Sequence, residues 1–274
     1  MKTIGIALGG GGAKGLAHIA LLQVLEDLGL EPAMISGTSM GAIIGALYAS
    51  GMKPSHMHEG IRDLTVMPQS LHDLIAAKQL FGWLDYVGLE VGRNSLLNVD
   101  KFLVNMERSM GVSDFDALKV PLKVVAADFW ARKQVVFDSG PVIPAVAASF
   151  ALPGLFKPVI LEGRVLIDGG TVNPVPYDLL MDHCDIVVAI DVSGQRIANG
   201  DQLPSYAETI FNTFQIASAA IVKEKMKLAP PSIYIEPEIR GIKALEFHKF
   251  DSISKQASSA AEVLKQKLGA LLDQ

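Results

Sequence analysis

Gly37-Thr38-Ser39-Met40-Gly41 is a G-x-S-x-G pentapeptide set between a short apolar run, "AMIS", and a run of helix formers, "AIIGALYASG". A serine on a tight strand-to-helix turn presents its hydroxyl at the end of a sheet, where it can act as a nucleophile. That hydroxyl is almost wholly protonated near neutral pH, so the chemistry requires a base beside it. A second corner, Gly9-Gly10-Gly11-Gly12-Ala13-Lys14-Gly15, offers unshielded backbone N–H groups at a helix start, where they converge on negative charge. Acyl transfer needs such donors for the oxyanion formed on attack, and losing one typically costs about 2.7–4 kcal/mol. The helix opening at Met40 adds its positive end and a further N–H. A third corner, "RVLIDGGTVNPVP", puts Asp168 at the carboxyl end of an apolar strand, directly before two glycines.

Asp168 is the best candidate for the base. An aspartate before Gly-Gly also serves as a turn cap. Yet the carboxyl ends of parallel strands share one edge of a sheet, which would bring Asp168 to Ser39. The histidines fit less well. An α/β-hydrolase triad runs serine, acid, histidine along the chain, and only His183 and His248 follow Asp168. His183 precedes the strand "DIVVAI" and so falls at the opposite edge; His248 lies in a polar connection, "LEFHKFDS". His18, inside the first helix, is placed to cap, pack or orient the glycine loop.

Nucleotide chemistry fails on the same residues. Gly10-x-Gly12-x-x-Gly15 formally matches the dinucleotide fingerprint, but the second strand ends in "SGTSMG" rather than in an acidic residue. Lys14 is followed by glycine, not by the Ser or Thr of a Walker A loop. No cluster has metal-ligand spacing, so neither metal nor cofactor is expected.

The surrounding elements alternate. "TIGIAL", a helix through "AKGLAHIALLQVLEDLG", "PAMIS" and a helix from Met40 to Ser50 give strand-helix-strand-helix, the pattern of a parallel sheet. Further strands are expected at 121–128, 134–139, 165–168, 185–192 and 232–237, with helices at 143–152, 205–228 and 252–273. Residues 53–114 read as a helical insertion, and residues 1–274 as one domain. Within the insertion, "QLFGWLDYVGLEVG" carries Phe81, Trp83 and Tyr86. A lid and ordinary packing are equally open readings of it.

Half the residues are hydrophobic, 19% are charged and the mean hydropathy is +0.33, which points to a large core. The formal charge of −5 and the absence of a basic block argue against nucleic-acid binding. The single cysteine, Cys184, rules out an internal disulfide and fits a reducing compartment. The apolar start breaks into glycines too early for a signal peptide, and no apolar run reaches the roughly 18 residues of a membrane span. A cytoplasmic location is the expectation.

Four motifs occur in order: "GGGGAKG" (9–15), "GTSMG" (37–41), "ASFALPGLFKPV" (148–159) and "DGGTVNPVP" (168–176). Together they resemble the bacterial patatin-like phospholipases, lipid acyl hydrolases with a Ser-Asp dyad. The resemblance implies a three-layer α/β/α sandwich with a mainly parallel central sheet, distantly related to cytosolic phospholipase A2. It implies Ser39 as nucleophile and Asp168 as base, with Gly10, Gly11, Gly12 and Met40 giving oxyanion N–H groups. Lys14, Ser149 and Pro153 become the expected substrate contacts; Lys14 stands where arginine is commoner. The implied substrates are phospholipids, lysophospholipids or simple carboxylic esters, and peripheral membrane contact follows from that class rather than from the charge pattern. The alternative is a binding or regulatory protein that keeps the fold while turnover is incidental. An aspartate of ordinary pKa, near 3.9, is a poor base for a serine, so partial burial of Asp168 is also expected.

Overall fold

In the computed structural model, which describes residues 2–60, 99–153, 155–194 and 206–272, β1 (Ile4–Leu8) and β7 (Ile186–Ile190) are buried along their whole length. Strands covered on both faces read as continuous apolar runs, and alternate residues go to opposite faces. Ile4, Ile6 and Leu8 join Ile186, Val188 and Ile190 in one core, while Ala7, Val187 and Ala189 enter the other. The first face is covered by α1 (Ala17–Asp27), α2 (Met40–Ala49), α5 (Val142–Ser149) and α7 (Phe250–Leu272). The second is covered by α6 (Tyr206–Leu228) and the 3-10 turn Tyr177–Leu180. This is the three-layer α/β/α arrangement.

α2 is buried on all sides, as a helix apolar all round must be. α1 ends as expected at Gly29, whose φ of 64° lets Leu30 N–H reach back to Leu25 O at 2.8 Å. α3 (Pro54–Gly60) and α4 (Val99–Met110) are the described parts of the expected helical insertion. Residues 61–98, with Phe81, Trp83 and Tyr86, lie outside the described residues. No helix among the described residues is long and apolar enough to cross a membrane.

The remaining strands are β2 (Met34–Thr38), β3 (Leu122–Asp128), β4 (Lys133–Phe137), β5 (Val159–Leu161), β6 (Arg164–Asp168) and β8 (Ile233–Ile235). They hydrogen-bond in the order β5-β6-β3-β2-β1-β7-β8, with β4 also on β3. The run β3-β2-β1-β7-β8 is parallel throughout. Chain order reverses between β2 and β7, on either side of β1, and ligands of open α/β sheets bind beyond the strand ends at such a reversal.

The direction of β6 corrects the sequence reading. β6 runs antiparallel to β3, so Asp168 does not end a parallel strand. β2 pairs with Leu122–Val125 and β6 with Ala126–Asp128, whereas β4 spans Val124–Asp128. Since β4 overlaps both, it takes one edge of β3 and leaves β2 and β6 to share the other. They meet there end to end. Thr38 pairs with Val125 and Asp168 with Ala126, so Ser39 and Asp168 converge because two opposed strands stop at the same point.

Candidate active site

Ser39 caps α2 with φ 56° and ψ −123°, a left-handed backbone that costs a non-glycine residue on the order of 1–3 kcal/mol. The surroundings enforce it. A side chain at Gly41 would overlap the Leu8 carbonyl of β1, so only glycine lets α2 start this close to the sheet. Ser39 N–H donates to Ser149 Oγ at 2.9 Å, and Ser149 is fully buried. Ser149 therefore braces the elbow from behind. Ser149→Ala strands that N–H in the interior, a loss of about 1–3 kcal/mol. The expected readout is a lower unfolding temperature and a reduced turnover of any ester substrate, with KM little changed.

Asp168 is 2% exposed. Its Oδ1 accepts from Gly170 N–H at 2.7 Å, and the Ser39 side chain stands close enough to the carboxyl to favour its charged form. Burial pushes its pKa up to about 6, against the neighbouring Ser39 hydroxyl and the Gly170 N–H, which favour the charged form. A base of that strength is half ionised near pH 6 and almost fully so above pH 7. Hydrolysis that needs the carboxylate must gain rate as pH rises through about 6 and then level off. A kcat/KM profile that stays flat across that interval sinks the assignment of Asp168 as base.

The loop carrying Asp168 is tied down on both sides. Thr38 Oγ1 donates to Asn173 O at 2.8 Å and Ser36 Oγ to Pro176 O at 2.9 Å. From α6, Lys225 Nζ reaches Val175 O and Asp178 Oδ1, each at 2.6 Å. Burial lowers the Lys225 pKa, and Asp178 opposes that shift.

The glycine loop follows β1 into the 3-10 turn Gly12–Leu16. Gly11 and Gly12 stand at the start of that turn and Met40 opens α2, positions whose N–H groups have no partner within a helix. Gly10 differs from the expectation: its N–H donates to Pro174 O at 2.9 Å, so it has no free donor to offer. Its lack of a side chain serves space instead, since a Cβ there would sit 3.2 Å from Ser39 Cβ. His18 is fully buried, and burial lowers its pKa to about 4, so the ring is neutral. Its Nε2 donates to Gly9 O at 2.8 Å, tying α1 to the glycine loop.

A partly enclosed cavity opens over Ser39 and Asp168, with Gly10, Gly11 and Gly12 in its wall. Phe150, Leu152, Leu155 and Phe156 form one side, and Phe214 and Val222 of α6 another. The Phe150 and Phe156 rings lie 4.8 Å apart. This lining suits an acyl chain and explains the desolvation of Asp168. Lys14, Ser149 and Pro153 do not line the cavity, which corrects their expected substrate contact. Lys14 is buried with Nζ 2.8 Å from Ser193 O, Ser149 sits behind the elbow, and Pro153 is exposed. Phe150, Leu152, Leu155 and Phe156, which do line it, stand beside Ser149 and Pro153 in the same motif, where the recurrence of Phe and Leu is the available signal. Among the described residues no three His, Cys, Asp or Glu side chains are grouped to hold a metal ion.

A serine elbow, a glycine loop and an aspartate gathered at one end of an α/β/α sheet define a recognisable class of protein. Residues 6–181 match the model of the patatin-like phospholipase family, and the chain belongs to that family. An uncharacterized NTE family protein of Mycobacterium tuberculosis is 31% identical over 196 residues, covering 70% of this chain and 50% of that protein. Lysophospholipase nte1 of Aspergillus fumigatus is 28% identical over 296 residues, covering 97% of this chain and 18% of the fungal protein. The chain thus spans half or less of the length of these relatives. VipD from Legionella pneumophila shares the fold, with a TM-score of 0.50 and 15% identity over 97% of this chain and 66% of that one.

Proposed function

We propose that this protein hydrolyses acyl esters of lipids through an acyl-enzyme on Ser39, with Asp168 as base. The observation that carries the reading is the convergence of Ser39 and the buried Asp168 in the lining of one apolar cavity, at the point where β2 and β6 meet. Ser39 Oγ attacks the ester carbonyl carbon as its proton passes to Asp168. The oxyanion is held by the N–H groups of Gly11, Gly12 and Met40. Collapse breaks the ester C–O bond, and Asp168 returns its proton to the departing alcohol. Water then attacks the acyl-enzyme, giving its proton to Asp168, which passes it to Ser39 Oγ as the fatty acid leaves. Every proton is carried by this chain's own groups, so the reaction calls for no metal.

Phospholipids, lysophospholipids and simple carboxylic esters all present the required carbonyl. The name of the fungal relative, a lysophospholipase, favours a single-chain lipid, and the Phe and Leu lining of the cavity agrees with one. The test is release of fatty acid from lysophosphatidylcholine by wild type and Ser39→Ala, with and without a chelator. Release by wild type alone, insensitive to chelation, supports the proposal. Release undiminished in Ser39→Ala removes the acyl-enzyme, and loss on chelation restored by calcium removes the metal-free route.

A further inference from the structure

β3 continues past the point where Ser39 and Asp168 meet and β6 runs back beside it to end there, so the turn after β3 and the β5–β6 hairpin both lie beyond that point. The tip after β3 carries Phe129 and Trp130, 47% and 75% exposed; β5 carries Ile160, 77% exposed. The two tips are joined, because Phe129 N–H donates to Val165 O at 2.9 Å and Val165 pairs with Ile160. They are also stiff. Asp128 Oδ1 accepts from Trp130 and Ala131 N–H at 3.0 and 2.8 Å, and the Phe129 and Trp130 rings pack edge-on at 4.8 Å. Three large apolar side chains are thus held out in solvent by a fixed backbone.

The charge around them runs against that of the chain. Among the described residues, Arg132, Lys133, Lys157 and Arg164 are exposed at or beside these tips, against one exposed acid, Glu162, which pairs with Arg164 at 3.5 Å. The whole chain carries −5. The patch stands near the cavity in the chain: only Lys157 and Pro158 separate Phe156 in the cavity wall from β5. We propose that the paired hairpin tips dock the protein on an anionic bilayer, Trp130, Phe129 and Ile160 entering the interface while Arg132, Lys133 and Lys157 meet lipid phosphates. Tryptophan prefers the interfacial layer, and basic residues beside it add attraction to anionic headgroups. Docking there sets the cavity mouth on the lipid surface. The purpose of this arrangement rests on the proposed lipid hydrolysis, whereas the binding itself does not.

Co-sedimentation with phosphatidylcholine vesicles, with and without phosphatidylserine, tests it in a Ser39→Ala background that cannot alter the lipid. The protein is expected to bind the anionic vesicles and to lose that binding as salt rises. Trp130→Ala with Ile160→Ser should weaken binding on the order of tenfold or more, and Arg132→Gln with Lys133→Gln on the order of tenfold. With Ser39 restored, both double variants should hydrolyse soluble p-nitrophenyl butyrate like wild type, which shows them folded. No binding by the parent protein, or equal binding by both variants, overturns the proposal. So does a change confined to oligomeric state, which would make the surface a contact between copies. Vesicle binding without hydrolysis of any ester would leave the docking surface standing and remove the proposed reaction.

Discussion

Asp168→Asn is expected to lower kcat/KM by about 10²–10⁴-fold and to make the folded protein more stable at pH 7. The two effects have one cause. Burial raises the Asp168 pKa from 3.8 to about 6, whereas the unfolded chain ionises it near 3.9. As pH rises from about 4 to 6, the unfolded state gives up this proton first, so ionisation favours unfolding. The contribution of the group to stability is intact below about pH 4 and is lost as pH climbs through about 6. A gap of about two pKa units corresponds to roughly 3 kcal/mol at neutral pH. Asparagine stays neutral and its carbonyl oxygen can still accept from Gly170 N–H, so Asp168→Asn recovers up to that amount. Urea unfolding at pH 7 and at pH 4 checks it: the variant should lead at pH 7 and the lead should close at pH 4. A variant less stable at both would mean that the carboxylate is a structural anchor rather than a base held at a cost in stability.

Gly12→Ala is expected to lower kcat by about 10²–10³-fold, the typical effect of removing one oxyanion donor. Gly12 has φ 57°, and a Cβ there would stand 2.5 Å from Ala244 O. The loop must move to admit it, and the Gly11 and Gly12 N–H groups move with it. Gly29→Ala separates this effect from general strain. Its φ of 64° is similar, yet nothing lies within 4 Å of the new Cβ. Gly29→Ala should lose about 1 kcal/mol of stability with kcat unchanged. Equal turnover by both variants would remove the glycine loop from the chemistry.

Local chemistry was legible in the sequence, and long-range pairing was not. The elbow at Ser39 follows from five consecutive residues between a strand and a helix, and the buried runs of β1 and β7 identify a sheet covered on both faces. A parallel strand would bring the end of "RVLID" to Ser39, but β6 is antiparallel to β3. Asp168 reaches Ser39 by the opposite route, and residue alternation alone does not reveal strand direction. β5, at three residues, is too short to leave a periodic signal. The Gly10 N–H is consumed by Pro174 O, 164 residues away, a pairing that no local pattern contains. Ser149 and Lys14 were expected at the substrate for the same reason: polar side chains in a recognised motif look like ligands until their partners, Ser39 N–H and Ser193 O, are seen. The cavity wall from α6 was equally hidden, since amphipathic spacing shows that a helix packs but not on which face of the sheet.

Reaction with a fluorophosphonate probe, the adduct mapped by mass spectrometry, tests the central claim most directly. Phosphonylation requires the same nucleophile, base and oxyanion donors as attack on an ester, yet it needs no knowledge of the natural substrate. The account predicts a single adduct on Ser39 in the wild-type protein and its near disappearance in Asp168→Asn. Folded wild-type protein that takes no label at Ser39, or Asp168→Asn that labels as fast as wild type, would contradict it and leave a patatin-fold protein whose role is binding rather than hydrolysis.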